Sequence, residues 1–254
     1  MKKLLATDLD GTLLKDNKVT KENSESVDKL LKSENLLVIS TGRPYNGITM
    51  LKEENNINAN YYILLNGALI LDSLGNKIYQ KIIKKDIIKD ILNYLIEENL
   101  YTSIESGFLT YMLTDRVDVP YPNKKRVNSI DEIDEGLSLI SLYNPLKDRE
   151  EIENIKNRIN KKYGNYVIAY RNDIYIDVVP IGCSKGNALK ELIKQEDISE
   201  ENAYAIGDSW NDISMFEVVK NSFTFHHVEH ELKNHASYLV SSVSECIEKF
   251  ILGN

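Results

Sequence analysis

The sequence has few of the features that mark secreted, membrane-spanning or metal-thiolate proteins. Its 254 residues include only two cysteines, Cys183 and Cys246, which lie far apart and form no metal-type pair. No apolar stretch approaches the roughly 20 residues that a membrane-spanning helix needs. The apolar run at the N-terminus ends at Ala6 and is followed at once by acids, which does not fit a signal peptide. We therefore expect a cytoplasmic protein with reduced thiols and no membrane partner.

The chain also has fewer basic than acidic residues. The chain has 31 Lys and Arg residues against 39 Asp and Glu residues, a formal net charge of -8 at pH 7. A nucleic-acid-binding protein usually displays a basic face, so this balance argues against DNA or RNA as a partner. Small anionic substrates remain compatible with it, because a metal ion and a few local cations can outweigh the global charge.

What the sequence does contain is an alternation of short apolar runs and amphipathic segments. Apolar runs at 3–7, 36–40 and 61–67 predict three buried strands with helices between them. The same pattern resumes late in the chain, with a predicted helix at 184–195 and a strand at 203–207. Alternating strands and helices indicate an α/β fold, a doubly wound, Rossmann-like parallel sheet.

The middle of the chain has a different pattern. Predicted strands follow one another there, and amphipathic helices at 84–100 and 148–164 separate the groups of strands. This arrangement is typical of an α+β unit with an antiparallel sheet. We therefore predict a core domain made of residues 1–81 and 183–254, interrupted by an inserted α+β domain at 82–182.

Polar side chains follow three of the predicted core strands. Asp8 and Asp10 come directly after the first, Thr41 after the second and Asp208 after the strand at 203–207. Open parallel sheets bind ligands beyond the carboxyl ends of their strands, so we expect these side chains to lie together. Such carboxylates can hold a divalent cation, and one of them can act as a nucleophile.

A lysine at the start of a predicted helix adds to this cluster. Ser184 and Lys185 precede the apolar positions of the helix at 184–195. The N-terminus of a helix favours anions, and a lysine there adds a full positive charge. Beside a cluster of acids, Lys185 is interpreted as a clamp for a phosphate group.

Four motifs, DLDGTLL, STGRP, SKGNAL and GDSWNDISMF, resemble in this order those of the haloacid dehalogenase (HAD) superfamily. The inserted unit resembles the type IIB cap of the Cof-type sugar-phosphatase group. The resemblance covers nearly the whole chain. It implies a phosphatase that acts on a phosphate monoester of a small metabolite, such as a sugar phosphate. We expect the protein to be a monomer or a small homo-oligomer.

The resemblance also implies the roles of the matching residues. Asp8 would be the nucleophile that forms an aspartyl-phosphate, and Asp10 the general acid and then the general base. The residues that would bind the transferring phosphoryl group are Leu9, Thr41, Gly42, Lys185 and Asn211. Mg²⁺ would be held by Asp8, the backbone carbonyl of Asp10 and Asp208, with Asp212 supporting the groups around the metal.

Two other functions remain open at this point. A phosphomutase of the phosphomannomutase type would need a cap that holds a bisphosphate, and residues 82–182 contain no dense arginine cluster. A non-catalytic sensor of a phosphorylated ligand would have lost part of the motif set, which is complete here.

Three further segments receive structural interpretations. The segment 226–235 carries all four histidines, and the spacing of His230 and His235 turns their rings apart on a helix, so we interpret it as a rim segment without a metal. Trp210 is expected to pack beneath the loop of the fourth motif. Residues 124–126 are predicted to form a solvated loop.

Overall fold

The computed structural model of the protein describes residues 1–55, 58–113, 118–172 and 174–253. The strands in these ranges are β1 (Leu4–Thr7), β2 (Leu14–Lys15), β3 (Lys18–Val19), β4 (Leu36–Ser40), β5 (Tyr61–Leu64), β6 (Leu69–Asp72), β7 (Lys77–Gln80), β8 (Tyr101–Glu105), β9 (Thr110–Met112), β10 (Lys124–Arg126), β11 (Leu139–Tyr143), β12 (Val167–Asn172), β13 (Tyr175–Pro180), β14 (Ala203–Ile206), β15 (Asn221–Phe225) and β16 (Tyr238–Val240). The helices are α1 (Lys21–Lys32), α2 (Tyr45–Asn55), α3 (Lys85–Tyr94), α4 (Arg149–Tyr163), α5 (Lys185–Gln195), α6 (Ile213–Phe216), α7 (His230–Lys233) and α8 (Val243–Glu245), which continues as a π-helix over Cys246–Ile251.

The larger sheet has eight strands in the order β16-β15-β14-β1-β4-β5-β6-β7. The strands from β16 to β5 pair in parallel, and β6 and β7 add an antiparallel edge. Every residue of β1, β4 and β14 is buried, as expected for central strands with both faces covered. The predicted doubly wound, Rossmann-like α/β sheet is thereby confirmed.

Polar caps begin two of the core helices. The Thr20 side chain accepts a hydrogen bond from the Asn23 backbone N–H at the start of α1, and Ser184 accepts one from Asn187 at the start of α5. A side-chain oxygen at this position satisfies a backbone N–H that has no partner within the helix. The cap of α5 fixes the position of Lys185, the first residue of that helix.

Two predicted element lengths are wrong. The strand expected at 61–67 ends at Leu64, because Leu65 and Asn66 have positive φ angles of 53° and 51°, which a strand does not accommodate. The α-helix expected at 84–100 ends at Tyr94, because Leu95 has a non-helical conformation with a φ of -101° and a ψ of 11°, and a short 3-10 helix follows over Ile96–Glu98.

The smaller sheet has six strands in the order β10-β9-β8-β11-β13-β12 and is antiparallel except for the β9–β10 pair. One of its faces packs against α3 and α4 through an apolar cluster drawn entirely from residues between Ile83 and Val178. The prediction of a solvated loop at 124–126 is wrong, because these residues form the edge strand β10, although their side chains are exposed.

The chain crosses between the two sheets at two adjacent places. The first crossing follows β7 and the second follows β13. Lys81 Nζ lies 2.6 Å from the backbone oxygen of Ile181, so the two crossings are hydrogen-bonded to each other. Gly182, with a φ of 79°, supplies the left-handed turn that leads back towards α5.

Within the described part of the chain, none of the helices combines the length and the apolar character that a membrane crossing requires.

Candidate active site

The carboxyl edge of the larger sheet collects polar side chains from three strands. Asp8 follows β1, Thr41 follows β4 and Asp208 lies two residues beyond β14. The Asp8 backbone N–H donates to the Ile206 oxygen at 2.9 Å, which extends the pairing of β1 with β14 up to the site. A Cβ atom at Gly11 would lie 2.4 Å from Asp208 Oδ2, so only glycine fits where the chain turns away from β1.

Three carboxylates form a tight group at this edge. Asp8, Asp208 and Asp212 each offer an oxygen, and these oxygens lie within 4.8 Å of one another. Burial, together with the negative charge of the neighbouring acids, raises the pKa of Asp8 and of Asp208. Buried like charges at this distance are unfavourable unless a cation accompanies them. The hard oxygen ligands of this group suit a small divalent cation.

The Lys185 side chain places a positive charge among these three carboxylates. Its Nζ lies 2.6 Å from Asp8 Oδ1 and 2.7 Å from Asp212 Oδ1, and its side chain is only 1% exposed. Burial alone would lower the pKa of Lys185, but Asp212 and Asp8 outweigh that effect and raise it. Lys185 is therefore charged at neutral pH and positioned beside the oxygen of Asp8.

Asp212 uses both of its oxygens within the protein. Oδ1 accepts from Lys185, and Oδ2 accepts from the backbone N–H groups of Asp208 and Ser209 at 3.0 and 2.9 Å. These bonds hold the loop that presents Asp208. Asp208 Oδ1 in turn accepts a hydrogen bond from the Thr12 hydroxyl at 2.7 Å.

Asp10 is separate from the group of three acids. Its side chain is 46% exposed, and its two oxygens accept hydrogen bonds from Nε and Nη2 of Arg43, each at 2.7 Å. The sequence interpretation did not single out Arg43, although it directly follows Thr41 and Gly42. The sequence feature that could have identified Arg43 is its position just after the carboxyl end of β4.

The remaining predicted residues line the same edge. Thr41 is buried, and its hydroxyl accepts from the Arg43 backbone N–H at 3.2 Å. The Leu9 side chain is buried in the core, so only its backbone is available to the site. A Cβ atom at Gly42 would lie 3.3 Å from Asp177 Oδ2, which shows how closely the second sheet approaches here.

Asn211 joins the site through a residue that the sequence interpretation missed. Its Nδ2 donates to Asn66 Oδ1 at 3.2 Å, and Asn66 Nδ2 donates to Asp177 Oδ2 at 3.0 Å. The Asn211 Oδ1 atom is buried and has no hydrogen-bond partner among the described residues. Asn66 thus connects Asn211 in the core with β13 of the smaller sheet.

Trp210 and the histidines lie outside this group. The prediction that Trp210 packs beneath the loop is wrong, because its side chain is 42% exposed and its indole N–H donates to Glu229 at 3.3 Å. The inner side of that turn is occupied by the fully buried Asp212. The four histidines between 226 and 235 are exposed.

A family model described as haloacid dehalogenase-like hydrolase matches residues 5–251. The chain belongs to this family. It is 28% identical to a putative phosphatase of Streptococcus pyogenes serotype M6 over 98% of each chain. A HAD-like hydrolase of Bacillus subtilis has a structure that superposes with a TM-score of 0.86 at 25% identity, covering 98% of this chain and 99% of that one. A HAD subclass IIB sugar phosphatase superposes with a TM-score of 0.79 at 19% identity over 96% of this chain and 95% of that one, which shows the shared fold.

Family membership and the phosphatase relatives identify this HAD-like hydrolase as a phosphoric monoester hydrolase of the Cof-type group. Hydrolases of this family typically use a divalent metal ion, and the group of Asp8, Asp208 and Asp212 could bind one.

Replacing Lys185 with methionine is expected to lower the free energy of unfolding by about 3–5 kcal/mol without added metal, because the change leaves Asp8 and Asp212 buried without their cation. Urea denaturation followed by circular dichroism measures this loss. Lys190→Met changes an exposed residue of the same helix and is the matched control, with an expected effect within about 0.5 kcal/mol. Similar small losses in both variants would show that the Lys185 pairs contribute little.

Proposed function

We propose that this protein is a Mg²⁺-dependent phosphatase that hydrolyses a sugar phosphate or a similar small metabolite through an aspartyl-phosphate on Asp8. The observation that carries the proposal is the buried contact of Asp8 with Lys185 beside Asp208 and Asp212. Lys185 offers a positive charge at the oxygen that would approach the phosphorus atom. The proposed nucleophile is thus paired with a cation before any substrate enters.

Asp8, the Asp10 backbone carbonyl and Asp208 are the proposed ligands of Mg²⁺. Asp212 holds the Asp208 loop, because both of its oxygens are engaged in hydrogen bonds with Lys185 and the backbone. Mg²⁺ bound there would reduce the repulsion between the Asp8 carboxylate and the anionic phosphoryl group.

Asp10 is the proposed general acid for the leaving group and then the general base for water. A general acid must reach the leaving group with one of its carboxyl oxygens. Because both oxygens of Asp10 accept hydrogen bonds from Arg43, we infer that Arg43 leaves Asp10 when substrate binds. Its guanidinium group is then available to the transferring phosphoryl group, which replaces Asp10 as its partner.

The phosphoryl group would be bound by the backbone of Leu9 and Gly42, the Thr41 hydroxyl, Lys185 and Asn211. The Asn211 side chain supports this assignment, because its buried Oδ1 has no partner among the described residues. An unsatisfied buried polar atom is unfavourable, and it indicates a site that a ligand or water completes.

We also propose that residues 1–81 and 183–254 form the catalytic core and that residues 82–182 form the cap. The separate apolar cluster within 83–178 and the adjacent crossings at Lys81 and Ile181 support this division. The core would carry the groups that transfer phosphate. The cap would choose the substrate and exclude water when it closes.

The phosphatase relatives favour hydrolysis over a phosphomutase or a non-catalytic sensor. The test is to incubate the purified protein with Mg²⁺ and a panel of phosphorylated metabolites, with p-nitrophenyl phosphate as a generic substrate, and to measure released phosphate. We expect release from p-nitrophenyl phosphate and from at least one sugar phosphate. Transfer of phosphate to a second sugar position, without release, would replace the proposal with a mutase.

A further inference from the structure

A cavity of about 350 Å³ lies between the two sheets and opens onto Asp10, Thr41 and Gly42. Its opposite wall is the face of the smaller sheet that does not contact α3 and α4. Successive side chains of a strand alternate between the two faces of a sheet, so alternate residues of β8, β11 and β13 share this wall. They are Ser103, Glu105, Leu139, Ser141, Tyr143, Tyr175 and Asp177.

The strand register places two acids of this wall close to each other. Ser141 lies opposite Asp177 on one side and Ser103 on the other, and the next inward residue of β11, Leu139, lies opposite Glu105. Glu105 and Asp177 therefore face the same cavity from the two strands that flank β11, near enough for the charge of Asp177 to raise the pKa of Glu105. Neither acid has a part in the proposed phosphoryl transfer.

Among the described residues, the other charged side chains that line the cavity are already paired. Arg43 binds Asp10, and Lys124 binds Asp118. Glu105 is 3% exposed, and its carboxylate accepts a hydrogen bond from the Thr110 hydroxyl at 2.7 Å.

Asp177 is 6% exposed and accepts a hydrogen bond from the neutral side chain of Asn66 at 3.0 Å, and Ser141 lies opposite it on β11. Lys185 is near enough to lower the pKa of Asp177, but its Nζ is bound to Asp8 and Asp212. In the part of the chain that the structure describes, both acids therefore lack an ion-pair partner.

Burial without a paired cation raises the pKa of both acids. It raises the pKa of Glu105 to about 8, against the opposing effect of Thr110, and that of Asp177 to about 6, against the effects of Asn66 and Ser141. A ligand that donates hydrogen bonds stabilises such carboxyl groups, and an added anion destabilises them.

We propose that Glu105 and Asp177 form the subsite for the leaving group of the substrate, and that this subsite selects leaving groups that offer hydroxyl or amino groups and carry no carboxylate or second phosphate. The inference rests on the proposed phosphatase function and adds a substrate class to it. Uncharged sugar phosphates and amino sugar phosphates fit this class. Phosphorylated sugar acids and bisphosphates do not, because their second anion would enter a wall that already holds two acids.

The experiment compares ligands that share one carbon skeleton. The protein is assayed with Mg²⁺ and p-nitrophenyl phosphate at about pH 9, above the pKa of both acids, and glucose 6-phosphate, glucosamine 6-phosphate and 6-phosphogluconate are added as competitors. Competition gives an affinity for each sugar whether or not it is itself hydrolysed. We expect 6-phosphogluconate to compete at least about 10-fold more weakly than the other two. Equal competition by all three, or competition by none, would overturn the subsite.

Two variants test the residues themselves. At about pH 9, above the pKa of about 8 that burial gives Glu105, Glu105→Gln removes a negative charge and keeps the shape, so it should reduce the preference for glucose 6-phosphate over 6-phosphogluconate at least about 5-fold. Asp177→Asn should also reduce this preference, and it replaces Glu105→Gln as the test if that variant does not fold. Glu97→Gln is the matched control, because Glu97 is an exposed acid of the same inserted unit and does not line the cavity. A preference that survives both wall substitutions would overturn the assignment.

The outcome separates the two proposals. If the wild-type protein with Mg²⁺ does not hydrolyse p-nitrophenyl phosphate, the proposed function fails, and the subsite fails with it. If p-nitrophenyl phosphate is hydrolysed and 6-phosphogluconate competes as well as glucose 6-phosphate, the proposed function stands and only the subsite is refuted.

Discussion

Replacing Asp8 with asparagine is expected to lower kcat by at least about 1,000-fold while leaving the fold intact. Asparagine has nearly the same shape, and its Oδ1 can still accept the hydrogen bond that Lys185 Nζ donates at 2.6 Å. A carboxamide oxygen is, however, far too weak a nucleophile to form the phosphorylated intermediate. Release of phosphate from p-nitrophenyl phosphate under saturating conditions measures the loss, and circular dichroism checks the fold.

Asp16→Asn is the matched control for this substitution. Asp16 is exposed in the turn between β2 and β3, and its φ of 52° is a conformation that asparagine adopts readily. We expect this control to keep the wild-type kcat. If Asp8→Asn retained more than about a tenth of the wild-type activity, with contaminating phosphatases excluded, Asp8 would not be the nucleophile.

Removal of divalent metal is expected to lower activity at least about 100-fold, and Mg²⁺ is expected to restore it. The oxygens of Asp8, Asp208 and Asp212 lie within 4.8 Å of one another, and Lys185 supplies one positive charge against these three acids. The phosphoryl group would add further negative charge to that group. The measurement is phosphate release after treatment with EDTA, followed by titration with Mg²⁺.

Ca²⁺ provides the contrast in the same titration. It accepts more ligands at longer distances than Mg²⁺, so it should bind the carboxylates but orient Asp8 poorly. Binding is followed by the thermal shift that each ion produces, and catalysis by phosphate release. Equal rates with both ions, or full activity in EDTA, would rule out a catalytic metal held by these acids.

The sequence predicts those features of the protein that depend on local patterns. Buried parallel strands need nearly continuous apolar runs, so the runs at 3–7 and 36–40 identified β1 and β4 within one residue. Ends of parallel strands meet at one edge of a sheet, so Asp8, Thr41 and Asp208 could be brought together without coordinates. Ser184, placed before the apolar positions of the predicted helix at 184–195, likewise identifies the start of α5.

Contacts between the two sheets could not be predicted in this way. The hydrogen bond between Asn66 and Asp177 joins residues that are 111 positions apart, and no periodicity connects them. The burial of Glu105 depends on which face of β8 meets the core, and that is decided by packing of the whole inserted unit. Arg43 could have been noticed from its place after β4, but its bidentate pairing with Asp10 requires side-chain geometry.

The hydrogen bond between Lys81 and Ile181 has a consequence for the evolution of such a protein. The inserted unit leaves and re-enters the core at points that one lysine side chain bridges, because Lys81 reaches the backbone oxygen of Ile181. A different unit with similarly spaced ends could be grafted there without changing the order or register of any core strand. Recombination at these two positions would keep Asp8, Lys185 and Asp208 intact while exchanging the wall that carries Glu105 and Asp177. One catalytic framework could in this way acquire new substrates by replacement of a single contiguous stretch of gene.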